Sequence, residues 1–538
     1  MVSSTQQLKT ITKLAYGAGD LGPAMTANVL VFFLMYFFTQ VAGLPPGLAG
    51  SILMIGRISD AINDPIIGIF SDRANTRWGR RLPWIFFGAI PFALIFILLW
   101  LVPEFSDDET LNNWLLFGYY VGIGVLFHLA YTIVNLPYIA LTPELTQDYD
   151  ERTSLNSFRF AFSLGASIFA LVLAGIAEGT YSDDPRQQYL MLGSAIALLS
   201  VFALLWCSLS LQERGKRPIA SPSRKKQLMF FFSFLTVLFG IFSAVEFFRE
   251  ENFLWGTTSF LLAIMSAMIG ISLWFHRRQS PFAVSDVPLP KTQTDEISFQ
   301  EKLKIVWNNR PFLFIVGIYL FSWLAVQLTA SILPYFVVSW MGLSEQDFIQ
   351  TALAVQGTAL VMLFFWVQVS KRFEKKVVYT MGISLWIIAQ IGLMLLQPGQ
   401  VILMYGLAVL AGMGVSVAYL IPWSMLPDVI ELDELRTGER REGIFSGFMV
   451  LLQKMGLGLG LFLVGQALGL AGFIESVPGE PPPQQPESAL LAIRSAIGVL
   501  PMLSLMAGVI LAYFYPLSRD VHKQICLDLA EKQNQERD

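Results

Sequence analysis

Along this chain, stretches of roughly 20 or more mostly apolar residues alternate with short polar breaks, the spacing expected of helices that cross the hydrocarbon core of a bilayer. Reading for that length predicts spans at 14–41, 48–71, 83–103, 112–142, 155–178 and 188–211. A further pair follows at 228–247 and 253–275, and six more at 311–341, 347–370, 376–397, 400–427, 443–473 and 488–515. The pair is set off by two polar connectors, Gln212 to Gln227 and Arg277 to Arg310. The pattern predicts an all-α integral membrane protein of about 14 transmembrane helices. It is organised as a six-helix half over 1–211, connectors with an inserted hairpin over 212–310, and a second six-helix half with a tail over 311–538. The first dozen residues lack the compact apolar core and small-residue cleavage site of a signal peptide, so the first span is expected to serve as its own targeting signal.

Composition agrees with that reading: 54% of residues are hydrophobic and 14% charged, against about 25% charged in soluble domains. A net charge of −4 excludes nucleic-acid binding through a basic surface. Lysine and arginine instead gather in alternate loops, at Arg73, Arg77, Arg80 and Arg81, at Arg214 to Lys226, at Lys371 to Lys376, and at Arg436, Arg440 and Arg441. The intervening loops are acidic or neutral, among them Glu104 to Glu109 and a turn at Glu250 and Glu251. By the positive-inside rule the basic loops and both termini are cytoplasmic, in a cell (plasma or inner) membrane. Cys207 and Cys526 are far apart and predict neither disulfide framework nor metal site. Of the three histidines, only His128 falls in an apolar span, where a packed, hydrogen-bonded imidazole is expected. No nucleophile–base constellation predicts an enzyme, no cofactor motif is present, and a monomer is expected.

The second span carries the chemistry. Gly56-Arg57-Ile58-Ser59-Asp60-Ala61-Ile62-Asn63-Asp64 places two carboxylates four residues apart, one turn above the other on one helix face, with Asn63 beside them. A carboxylate at bilayer depth costs a few kcal/mol, about 3 on insertion scales. Two adjacent ones repel, so the pair is expected to be protonated or to share a cation. The competing reading pairs these acids with an arginine such as Arg57. In the next loop, Asp72, Arg73 and Arg80 form a candidate gating group that also anchors the basic interface. An internal repeat aligns Leu136-Pro137 through Arg152-Thr153 with Ile421-Pro422 through Arg436-Thr437, at equivalent places in the two halves. Duplicated six-helix halves are the major facilitator architecture, with substrate bound near the midplane. Asp428, Glu431, Asp433 and Glu434 are expected to face Arg436, Arg440 and Arg441 as a solvated latch.

Lys13-Leu14-Ala15-Tyr16-Gly17, Arg57 through Pro65, Arg77-Trp78-Gly79-Arg80 with Pro83-Trp84, and Tyr131-Thr132 with Leu136-Pro137-Tyr138 resemble the glycoside–pentoside–hexuronide (sodium:galactoside) cation symporter family of the major facilitator superfamily. The resemblance covers roughly 12–211 and 297–520 and implies that Asp60, Asn63, Asp64 and Thr132 bind a coupling cation, Na⁺ or H⁺. Sugar-carrying members hold hydroxyls with aspartates on helices one and four and stack a tryptophan on the ring. The matching positions here are Ala24, Asn135 and Ile139, so both carboxylates and the ring are expected to be missing. Arg159, Lys454 and Tyr131 match retained substrate-site positions. Animal relatives in the wider group carry lysophospholipids. The function expected is cation-coupled symport of a sugar or sugar-like solute by alternating access, the alternative being an anionic or amphiphilic solute. Arg159 and Lys454 would suit an anionic group or pair with Asp60 and Asp64 in the empty carrier.

Overall fold

The computed structural model describes residues 8–74, 76–146, 149–181, 183–213, 228–229, 231–240, 243, 253–277, 299–438, 441–475 and 483–535. All the regular elements among them are helices: α1 (Thr10–Gln40), α2 (Pro46–Arg73), α3 (Leu82–Leu98), α4 (Glu109–Ile139), α5 (Tyr149–Tyr181), α6 (Pro185–Ser210), α7 (Phe231–Gly240), α8 (Phe253–Arg277), α9 (Phe299–Asn308), α10 (Arg310–Trp340), α11 (Glu345–Arg372), α12 (Lys375–Leu395), α13 (Val401–Thr437), α14 (Glu442–Leu470), α15 (Glu487–Tyr513) and α16 (Arg519–Gln535), with a single turn at Thr142–Leu145. Ten are long and apolar enough to cross a membrane. α2 matches them in length with 28 residues but has a polar interior, and α3 is a shorter apolar helix of 17.

Helix ends follow local chemistry. Asp108 accepts from the Leu111 N–H, Asp184 from Gln187 and Asn309 from Phe312, each satisfying a backbone donor of the first turn. Ser344 and Asp347 form a reciprocal capping box on α11. α13 stops at Gly438, whose φ of 74° is costly for any side chain-bearing residue.

The chain forms two compact units, divided between Val287 and Pro288. Inside each, the packing partners repeat. In the first unit α1 packs on α5 and α6, α2 on α4, and α3 on α4 and α6. In the second, α10 packs on α14 and α15, α11 on α13, and α12 on α13 and α15. Glycines set the closest approaches: a Cβ on Gly19 would meet the Tyr138 ring and Cys207 Sγ, and one on Gly414 would meet the Gly382 carbonyl and Trp386. The described part of the inserted hairpin belongs to the first unit, where α8 packs on α6 and α5 and Phe232 and Phe239 flank Phe202 of α6. Its turn at Glu250 and Glu251 lies outside the described residues.

Three features depart from the sequence pattern. The repeat is not conformationally equal, because α4 ends at Ile139 and restarts as Thr142–Leu145, whereas α13 runs unbroken through Pro422 and Pro427. The twelfth apolar segment is broken at Gly498 into Glu487–Ile497 and Val499–Tyr513. Beyond the predicted spans, α16 docks on α13.

A carboxylate site in the first unit

α2 and α4 run side by side, and each presents residues four apart on the facing stripe. Gly56 permits the contact, since a Cβ there would lie 2.7 Å from His128 Cδ2 and Nε2. One turn on, His128 Nδ1 is 3.1 Å from Asp60 Oδ2. One further turn on, Thr132 Oγ1 donates to Asp64 Oδ1 at 2.9 Å. Asp60 is fully buried and Thr132 nearly so. Arg57 Nη1 also reaches Asp60 Oδ2, at 3.3 Å.

His128 is a packed imidazole, as expected, with Asp60 as its neighbour. Asn63 turns away from the acids: its Nδ2 donates to Ser59 Oγ at 2.8 Å on its own helix. The arginine contact is present at Asp60, and one turn on Asp64 accepts from the Thr132 hydroxyl. Among the described residues no three His, Cys, Asp or Glu side chains converge as a multivalent metal would need. Two carboxylates and a hydroxyl are hard oxygen donors suited to a small cation.

A second polar cluster lies where α1 meets α5. Asp20 lies near Ser163 and in the field of Arg159, whose guanidinium carbon sits 4.8 Å above the Phe160 ring. Arg159 therefore does not pair with Asp60 or Asp64. Tyr131 is within electrostatic reach of Asp20, Asp60 and Asp64, and so lies near both clusters. Asp20 was missed because the family pattern directs attention to Ala24, one turn along the same face. The signal was available: Asp20 is the one acidic residue in the whole of α1, and an acid in an apolar span marks a functional position. Next on that stripe, Asn28 Oδ1 is buried without a hydrogen-bond partner, as is Asn135 Oδ1 on α4. Ile139 is 40% exposed at the end of α4. Lys454 is half-buried on α14 of the second unit.

The predicted gating residues are arranged differently from the sequence reading. Arg80 pairs with Glu144, and the backbone N–H groups of Arg80, Arg81 and Leu82 all donate to the Glu213 carboxylate, at 2.6, 2.7 and 2.9 Å. Glu213 thereby caps the α3 N-terminus. Arg73 is exposed, and the Asp72 side chain and all of Arg440 lie outside the described residues. Asp428 is held by Lys375 Nζ at 2.7 and 2.8 Å, not by the exposed Arg436. His522 of α16 lies 2.7 Å from Glu431 Oε2 and 3.5 Å from Asp428 Oδ1. Asp428 and Glu431 thus find partners far along the chain, while Arg436, in the last turn of α13, is exposed.

Repeated helical units, ten helices long and apolar enough to cross a membrane, and a buried acid on α2 fit a membrane transporter. The chain belongs to the family described as MFS/sugar transport protein, matched over residues 15–237 and 226–519. It is 55% identical to an "uncharacterized symporter" of Synechocystis sp., with 98% of each chain covered. It is 28% identical to the sodium-dependent lysophosphatidylcholine symporter 1 of Xenopus tropicalis, over 100% of this chain and 93% of the relative. In fold it is similar to a bacterial homolog of the human lysosomal transporter Spinster, with a TM-score of 0.59, 14% identity, and 97% and 99% of the two chains covered.

Proposed function

We propose that the protein is a cation-coupled symporter that moves a sugar or sugar-like solute by alternating access, in the manner of the sodium:galactoside group. The carrying observation is the buried Asp60 with the Thr132–Asp64 hydrogen bond one turn on. Na⁺ or H⁺ binds at Asp60 and Asp64 with Thr132, displacing the Arg57 and His128 contacts. Binding neutralises carboxylates that are costly to carry through apolar surroundings, so the loaded carrier reorients more readily than the half-loaded one. Tyr131, Asn135 and Arg159 serve the substrate, and Lys454 is a further basic group in the second unit. A multi-pass monomer in the cell membrane with both termini cytoplasmic completes the reading.

A second reading, transport of an anionic or amphiphilic solute, is favoured by Ala24 and Ile139, which supply neither acid nor stacking ring. It is also supported by the relationship to a lysophosphatidylcholine symporter. Proteoliposome uptake of melibiose, glucuronate and lysophosphatidylcholine under imposed Na⁺ or proton gradients separates the two. Gradient-driven uptake should collapse in Asp60→Cys and Asp64→Cys; accumulation that persists in both variants overturns the coupling site.

A further inference from the structure

The acids of α13 have no part in the α2–α4 site, and the C-terminal helix meets them. Ser424, Asp428 and Glu431 follow one another at four- and three-residue spacing, so they share one stripe of α13. Lys375 Nζ, from the start of α12, spans the first part of that stripe. It donates to the Ser424 carbonyl at 2.7 Å and to the two Asp428 oxygens at 2.7 and 2.8 Å. His522 of α16 closes the second part, with Nε2 2.7 Å from Glu431 Oε2 and 3.5 Å from Asp428 Oδ1. The two acids therefore face one fixed cation and one imidazole. With the imidazole charged, these four groups balance; with it neutral, one negative charge is left over.

Apolar burial contributes little to holding α16 on α13. Of the described side chains of α16 only Ile525 is buried, one turn on from His522, with Leu529 half-buried on the same stripe. Val521 and Leu527 are exposed, as are the charged Arg519, Asp520 and Lys523. Asp528 accepts from Gln524 on its own helix at 2.8 Å. On α13, Asp433 and Glu434 follow Glu431 toward the helix end, and Arg436 is exposed. At the start of α12, Lys376 pairs with Glu374 at 3.6 Å, and Tyr515 is buried in the core just before α16. The His522 side chain is 28% exposed, so it exchanges protons with solvent while touching the acids.

We propose that α16 is a proton-operated clamp on α13. The Nε2–H of His522 stays directed at Glu431, and a solvent proton adds to Nδ1. The imidazolium then offsets the excess charge of Asp428 and Glu431 and holds α16 down, through a charge-assisted bond about twice as strong as a neutral one. When the proton leaves Nδ1 for solvent, the excess charge returns, only a neutral donor faces Glu431, and α16 lifts from α13. The inner brace of α13 then passes to Lys375 alone. The clamp responds to pH on the side of the membrane that carries the tail, and it rests neither on the transport reading nor on the α2–α4 site.

The test is electron paramagnetic resonance of the full-length protein in lipid nanodiscs, with a nitroxide attached through Leu527→Cys in a Cys526→Ser background. Leu527 is 59% exposed and Cys207 is buried, so the label takes one site and stays off the contact face. From about pH 5.5 to about pH 8.5, across the ordinary imidazole range, the mobile fraction of the label should rise about threefold or more. His522→Gln should fix that fraction at the high level and His522→Lys at the low level, neither with a pH response. Glu431→Gln, which removes the excess charge, should flatten the response as well. A mobile fraction that does not change with pH in the parent overturns the clamp. So does a response that persists in His522→Gln, which titration of Asp433 or Glu434 would give. Equal mobility in His522→Gln and His522→Lys also overturns it, since a purely packing role for position 522 ignores the charge.

Discussion

The two units share one packing plan and use polar residues in opposite ways. In the first, charges sit among the helices: Asp60 with Arg57 and His128, Asp64 with Thr132, and Asp20 in the field of Arg159. In the second, most interior polar contacts are neutral. Ser322 Oγ and Tyr379 Oη are 2.6 Å apart, Trp366 donates to the Met413 carbonyl at 2.9 Å, and Ser504 donates to the Phe321 carbonyl at 2.7 Å. Gln390, its amide set to satisfy both ends, donates to the Ile497 carbonyl and accepts from Thr329 and Trp386. The second unit's charged contacts, Lys375–Asp428 and His522–Glu431, gather at the helix-end region of α13. Lys454 and Arg494, whose guanidinium donates to the Met394 carbonyl, are exceptions. Neutral hydrogen bonds tie helices together at little desolvation cost, whereas buried charges cost stability and are retained where they bind something. In the proposed reading the first unit binds the ion, while the second holds its shape.

That contrast fails if mutations in the two units have similar effects. The largest separation is expected between Asp64→Asn and Gln390→Leu. Asp64→Asn should weaken Na⁺ binding at least about 100-fold, near 3 kcal/mol, with the melting temperature in Na⁺-free buffer unchanged or raised, as read by isothermal calorimetry and thermal unfolding. Gln390→Leu should do the reverse, costing about 2 kcal/mol of stability by stranding Thr329, Trp386 and the Ile497 carbonyl, with Na⁺ affinity intact. Thr132→Val removes only the hydroxyl and should lower Na⁺ affinity about tenfold, ~1.4 kcal/mol. Lys375→Ala leaves Asp428 without its amine and should cost about 1 kcal/mol, with no change in cation binding. Arg186→Ala, in an exposed pair with Glu104, should shift stability by under about 0.5 kcal/mol. It calibrates the others as the surface control.

Much of this was legible because helical period and span length are local properties. The apolar runs located most helices to within a few residues, and the four-residue spacing of Asp60 and Asp64 placed them on one face before any partner was known. Capping by Asp108, Asp184 and Ser344 is likewise a local property of the helix start. The repeat at Pro137 and Pro422 announced two related halves, although the break after Ile139 and the unbroken α13 were not in the pattern.

What period does not reveal is which stripe of one helix meets which stripe of another. That rotation is decided by close contacts such as Gly56 on His128 and Gly17 on Phe158. It turned Asn63 toward Ser59, brought Asp20 rather than Ala24 into the polar cluster, and gave Asp428 a lysine 53 residues earlier in place of the arginine eight residues later. Sequence alone determined that this chain crosses a membrane as two repeated helical sets with acids buried in one of them. Only the tertiary structure decided which side chains those acids face, because the partners come from different helices and their approach is set by packing across the whole unit.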